Sequence, residues 1–189
     1  ARSIYKKLIQ GYPDRPAAYF RLGLVENAQG KPDAALENLK KALAINPNLM
    51  DVFSSIIGIM AGQKKIDQAL SLCDSQLEKV EPVPVIQAMI LEMKAKLFVQ
   101  KGSLGQAEDY FRQAIAKNPE FVPPYMTLAR TLTLQGQIEK AIQVYQDLIQ
   151  KRPDQAAAHG LVGNLYEHQE KLDLAESHYL KALAIAPGD

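Results

Sequence analysis

The stretch AEDYFRQAIAKNP, residues 107–119, decides the fold. A small residue, Ala107, is followed four places later by the aromatic Phe111, three places after that by Ala114, and then by Pro119. Proline removes a backbone donor and clashes with the preceding turn, so it ends a helix. The same order returns with Ala35, Leu39, Ala42 and Pro47, and again with Ala175, Tyr179, Ala182 and Pro187. Offsets of four and three place these residues on one helical face, so the chain writes one amphipathic helix over and over.

The prolines set the period. Pro13 and Pro47 lie 34 residues apart, as do Pro119 and Pro153, and Pro153 and Pro187; from Pro47 to Pro119 the separation is two periods and four extra residues. A period of this size marks stacked helical units. Five full units fit residues 16–49, 50–83, 88–121, 122–155 and 156–189, with PVIQ inserted at 84–87 and residues 1–15 supplying the second helix of a preceding unit. Each unit holds two helices. In the fourth, Tyr125, Leu128, Ala129 and Leu132 share the face of a first helix, QGQ turns the chain, and Ala141, Tyr145 and Leu148 share the face of a second. Gly30 and Gly102 suit helix C-termini, Pro32 a first helical turn, and Ser103 with Gln106 a capping box. The alternation that marks strands is absent, so the expected class is all-α, with about eleven antiparallel helices in one continuous solenoid.

The small residues have a packing reason. Helices of a pair cross at about 8–10 Å, and a large residue at the crossing forces the axes apart. Ala1, Ala35, Ala69, Ala107, Ala141 and Ala175 fill that column without exception, and Tyr5, Leu39, Cys73, Phe111, Tyr145 and Tyr179 supply bulk beside it.

With these columns in place the chain resembles the tetratricopeptide repeat family over its whole length. The aromatic near the start of the family's first helix is matched by Tyr19, Phe53 and Tyr125, its Leu-Gly pair by Leu22-Gly23 and less closely by Val162-Gly163, and its small, aromatic, small, Pro run by the columns above. The resemblance implies a right-handed superhelix of helix pairs. Departures gather in the second unit, where Cys73 and Gln76 replace the aromatic and the second small residue and Pro82 falls one place late, and at Lys94 in the third. Looser packing or an altered superhelical angle is expected there, and PVIQ should lengthen the next helix by about a turn.

Composition narrows the function. The 189 residues are 47% hydrophobic and 23% charged, and 22 Lys and Arg balance 21 Asp and Glu, so no bulk charge draws the chain to nucleic acid or an anionic membrane. No apolar run is long enough to span a bilayer, and the chain reads as soluble. One cysteine, Cys73, forbids an intrachain disulfide and leaves cytoplasmic and periplasmic addresses equally open. It reads as a buried small hydrophobe. No phosphate-cradling, nucleophile-elbow or zinc-helix motif is present. Glu167, His168, Glu176 and His178 are dispersed over two helices and read as solvated surface, and His159 reads as packing. The expectation is a non-enzymatic module with no cofactor and no metal.

What remains is shape: a stack of helix pairs curves and offers its concave side to a partner. The resemblance implies that the first helices line that side. Their residues that point away from the packing face are Arg21, Leu24 and Asn27; Asp51, Ser54, Ser55 and Gly58; Met89, Glu92, Met93 and Lys96; Met126, Thr127 and Arg130; and Leu161, Asn164, Glu167 and His168, with Phe20 beside them. The acids Asp51, Glu92 and Glu167 balance the bases Arg21, Lys96 and Arg130 on this surface. Met89, Met93 and Met126 either offer a flexible apolar floor or fill gaps between neighbouring helices. The family's chaperone-tail binders hold a terminal carboxylate with Lys, Asn and Arg, and the matching places here are Phe20, Leu24, Ser55, Met89 and Met93, so that clamp is missing.

The leading expectation is a scaffold that holds a peptide or helix of a partner protein in this groove. Two alternatives stand beside it. The array begins in the middle of a unit and stops at PGD, which reads as a fragment whose uncapped ends, with Leu180 and Leu183, could self-associate. Otherwise it is a regulatory array of a larger protein, such as a polysaccharide-export or glycosyl-transfer system.

Overall fold

The computed structural model describes residues 2–80 and 82–188, so Ala1, the first of the small column, lies outside the described residues, as do Glu81 and Asp189. Among the described residues there are eleven helices and no strand. They are α1 (Arg2–Gly11), α2 (Pro16–Ala28), α3 (Pro32–Ile45), α4 (Met50–Gly62), α5 (Ile66–Lys79), α6 (Pro84–Lys101), α7 (Leu104–Lys117), α8 (Val122–Leu134), α9 (Ile138–Lys151), α10 (Ala156–His168) and α11 (Leu172–Ile185). First and second helices alternate, and each packs on the next in chain order. The fold is therefore an all-α solenoid.

Punctuation explains the helix lengths. Proline occupies the first turn of α2, α3, α6 and α8, where its missing N–H has no intrahelical partner to lose. Each first helix ends on a left-handed residue at one fixed place in the unit: Gly30, Lys64, Gly102, Gly136 and Glu170, with φ between 59° and 79°. The following N–H then reaches back to close the last turn, from Lys31 to the carbonyl of Glu26, Lys65 to Met60, Ser103 to Phe98, Gln137 to Leu132 and Lys171 to Tyr166. Lys64 and Glu170 hold a conformation that costs a side-chain-bearing residue about 1–2 kcal/mol, so the closing bond and the packing around it impose the turn there. The capping box expected at Ser103 is not formed: Ser103 is the residue before α7 but its hydroxyl makes no cap hydrogen bond. Helix α6 has 18 residues against 13 in α2, α4, α8 and α10, and it starts at the inserted Pro84.

The columns seen in the sequence form the core. Ala35, Ala69, Ala107 and Ala141 are completely buried, as are Leu39, Cys73 and Phe111 beside them. At Gly23 a Cβ would lie 2.8 Å from Leu39 Cγ, and at Gly163 it would lie 2.7 Å from the Tyr179 ring; both would stand 3.2 Å from a carbonyl oxygen of the partner helix. These two pairs close as tightly as backbones allow.

In the second unit, where looser packing or an altered superhelical angle is expected, the departing side chains themselves are packed. Cys73 and Gln76 are not loose: both are buried, and Gln76 Nε2 donates to the Pro47 carbonyl at 2.5 Å. The pair also differs at its crossing: Ile57 stands where the other first helices carry Gly23, Ala95, Ala129 and Gly163, and the backbones of α4 and α5 come close at fewer places than those of the other four pairs. Lys94, in a column otherwise filled by Leu22, Ile56, Leu128 and Val162, is also packed rather than loose. Its ammonium meets Asp74 Oδ1 at 2.5 Å and lies 4.2 Å from the centre of the Tyr110 ring, which itself stacks on Phe98. Burial pulls the Lys94 pKa down, but its hydrogen bonds to Asp74 and Tyr110 outweigh that and hold it above the ordinary lysine value.

Candidate binding groove

Because each first helix sits beside the first helix of the next unit, residues at one place in the unit form rows along the array. Where α6, α8 and α10 come together the row opens into a cleft of about 600 Å³. The cleft is lined by Lys96, Val99 and Gln100 of α6, Met126, Thr127 and Arg130 of α8, Tyr145 of α9 and Leu161 of α10. Of the residues expected in the groove, Lys96, Met126 and Arg130 meet here, together with Thr127 and Leu161.

The others do not join that cleft. Arg21 lines a smaller pocket with Tyr5, Leu8, Tyr12 and Arg15 at the α1–α2 end. Phe20 lines another, between the starts of α2 and α4, with Leu49 and Asp51. Asn27, Ser54 and Asn164 are exposed away from it, Leu24 is half-buried, and the Ser55 hydroxyl is taken by the Asp51 carbonyl of its own helix. Met89 and Met93 are half-buried against the core, where they fill space between helices.

The acids and bases expected on this surface differ in depth. Glu92 is 4% exposed, packed under Lys96, its i+4 neighbour, whose ammonium stays half-exposed. Glu167 accepts a 2.6 Å hydrogen bond from the Tyr179 hydroxyl. The cleft itself is lined by Lys96 and Arg130 and by no carboxylate. Burial raises the Tyr145 pKa and the nearby Arg130 pulls against it; with the net shift upward, the phenol is a neutral donor at the bottom of the site. The Thr127 hydroxyl donates to the Pro123 carbonyl, leaving only its oxygen lone pairs for a ligand.

The sequence reading missed Tyr145, Val99 and Gln100. Tyr145 belongs to the bulky core column, and only its contact with the cleft reveals a second role. Val99 and Gln100 hold the same places in the unit as Glu167 and His168, which were read as groove in the last unit, and that equivalence was the available signal.

Elsewhere the polar side chains are structural. Among the described residues no three His, Cys, Asp or Glu side chains gather where they could hold a metal ion. His178 is not the solvent-facing group expected: it is half-buried, with Nδ1 3.3 Å from Nδ1 of the buried His159. Burial pushes the Cys73 thiol up to about 12, with the Asp74 carboxylate adding to the shift. Among the described residues no helix is long and apolar enough to cross a membrane.

Comparison with known proteins gives a consistent picture. Tetratricopeptide repeat models match residues 16–49, 98–165 and 156–189. The chain is 30% identical over 162 residues to cellulose synthase operon protein C of Pseudomonas fluorescens (strain SBW25), covering 84% of this chain and 13% of that protein. It is 24% identical over 162 residues to the protein of the same name from Xanthomonas axonopodis pv. citri (strain 306), covering 84% of this chain and 11% of the relative. The chain thus spans only about an eighth of the length of these curated relatives. Among solved structures, PilW, a widely conserved type IV pilus biogenesis factor, superposes with a TM-score of 0.71 at 20% identity, covering 98% of this chain and 84% of that one.

Proposed function

This chain belongs to the tetratricopeptide repeat family, and from that premise we propose that it is a non-catalytic binding segment that holds part of a partner protein across α6, α8 and α10. One observation carries the reading: three successive first helices place Lys96, Met126, Arg130 and Leu161 around a single open cleft. An open cleft that sets aliphatic surface beside a few polar groups is what a protein segment needs for affinity and orientation. The test compares partner recovery by the unaltered chain, by Leu161→Asp in the cleft, and by Gln150→Asp on α9, outside the cleft. Loss with Leu161→Asp alone, at equal melting temperature, is the expected result. Loss with Gln150→Asp alone would place binding elsewhere.

A second reading concerns the parent protein. Two relatives named cellulose synthase operon protein C align over 84% of this chain while being several times longer. On that similarity we propose that the chain is one stretch of a longer repeat protein that serves a polysaccharide-producing system. Co-isolation of the full-length protein with components of such a system checks this, and isolation with an unrelated assembly would contradict it.

A further inference from the structure

We infer that the α6–α8–α10 cleft selects an extended protein segment in which an Asp or Glu side chain stands next to an aliphatic one. This inference rests on the cleft being the binding face and adds what it binds. The row of residues at one unit position along the first helices reads Leu24, Gly58, Lys96, Arg130, Asn164. Positive charge is confined to the third and fourth of these five places, and both residues line the cleft.

No carboxylate lines the cleft, but the buried Glu92 lies 2.5 Å from the Lys96 ammonium and offsets part of its charge. Arg130 is exposed and makes no salt bridge among the described residues. A carboxylate entering here finds Arg130 without a competing acid and Lys96 already shared with Glu92, so Arg130 supplies the main charge-assisted hydrogen bond and Lys96 a weaker one. The walls choose its neighbours. Val99, Met126 and Leu161 present aliphatic surface to the same space, which a free inorganic anion would leave uncovered. An extended chain advances about 3.3 Å per residue and turns successive side chains to opposite sides, so an acid facing the cations of α6 and α8 turns its aliphatic neighbour toward Leu161 on α10. Nucleic acid fits poorly: two cations on an apolar wall, in a chain of net charge +1, do not follow a phosphate backbone.

The experiment is a selection from a library of random peptides displayed on phage, each followed by carrier protein so that no free terminal carboxylate is offered. The targets are the unaltered chain, the double variant Lys96→Gln/Arg130→Gln, and Leu161→Asp, all checked for equal melting. The expected result is enrichment of Asp or Glu beside Leu, Ile or Val. A peptide so enriched should bind the double variant about tenfold or more weakly, as expected for lost charge-assisted bonds, and should not bind Leu161→Asp. If the enriched peptides lack acids, or the double variant enriches the same acidic peptides, the inference is overturned; continued loss with Leu161→Asp would then leave the cleft itself standing. Enrichment unaffected by Leu161→Asp, or no enrichment at all, overturns the inference and the cleft reading together.

Discussion

The α10–α11 pair and the α4–α5 pair follow the same plan and come out differently. In the first, Gly163 lets Tyr179 lie against the opposing backbone and the helices close tightly; in the second, Ile57 holds the same place and the helices stand apart. The wider pair still has a closed interior, since Ile56, Phe53 and Cys73 are completely buried in it. A larger side chain at the crossing accompanies a less close approach, and the bulky column differs with it: a tyrosine ring lies against Gly163, and a small thiol stands in the pair that carries Ile57. A repeat protein can vary its local geometry in this way without losing its core.

The largest effect should come from removing the bulk of the second column. Phe111→Ala is expected to cost about 3–5 kcal/mol, whereas Cys73→Ala, at the same place in the spread pair, should cost about 1 kcal/mol because little volume is lost. Urea unfolding of both variants checks the contrast, and equal costs would mean that Ile57 does not compensate for the small residue. Ile57→Ala follows, with an expected loss of about 2–5 kcal/mol. Gly23→Ala comes next: the new methyl would press on Leu39, which is fully buried and has nowhere to go, for about 1–3 kcal/mol. Gly163→Ala should cost less, since Tyr179 is half-exposed and its ring can swing outward. Equal melting of the two glycine variants would show that the neighbour's freedom does not matter.

The smallest effect is electrostatic and belongs to the tight pair. Burial holds His159 below the ordinary value of 6.5; burial does the same for His178, with the facing His159 and nearby Lys181 adding to it. The unfolded chain therefore binds protons that the folded pair refuses. Stability from these groups is complete above about pH 6.5 and is lost as the pH falls from there toward the lowered folded values. Groups facing the pair are the Lys181 ammonium and the Tyr166 ring, the latter's hydroxyl bonded to Gln146. His159→Phe should flatten the dependence of melting temperature on pH between 7 and 5, and an unchanged slope would count against the pairing.

The helices, their order and the buried columns were legible because they follow from local spacing: a face repeated at offsets of three and four, a proline at a fixed period, a turn residue at a fixed place. Partners chosen by tertiary packing were not legible. Glu26 is 2% exposed because Arg2, 24 residues earlier, and Asn38, 12 later, both bond its carboxylate. Lys94 looked like a defect because Asp74 and Tyr110, its partners, lie on two other helices. The role of Ile57 was overlooked because the departures noticed first were those from the pattern of the second helix. In the groove, the rows could be read but the depth of each position could not. Glu92, Met89 and Met93 point toward the same side as Lys96 yet are covered by neighbouring helices, and Tyr145 reaches the cleft from the core.

The claim that the first helices of the third to fifth units form the binding face is tested most directly by photo-crosslinking. A photoreactive amino acid would be placed at Gln100, inside the cleft, and separately at Gln150 on α9, both exposed in the free chain. The account predicts that the partner is captured from position 100 and not from position 150. Capture from position 150 alone would contradict it.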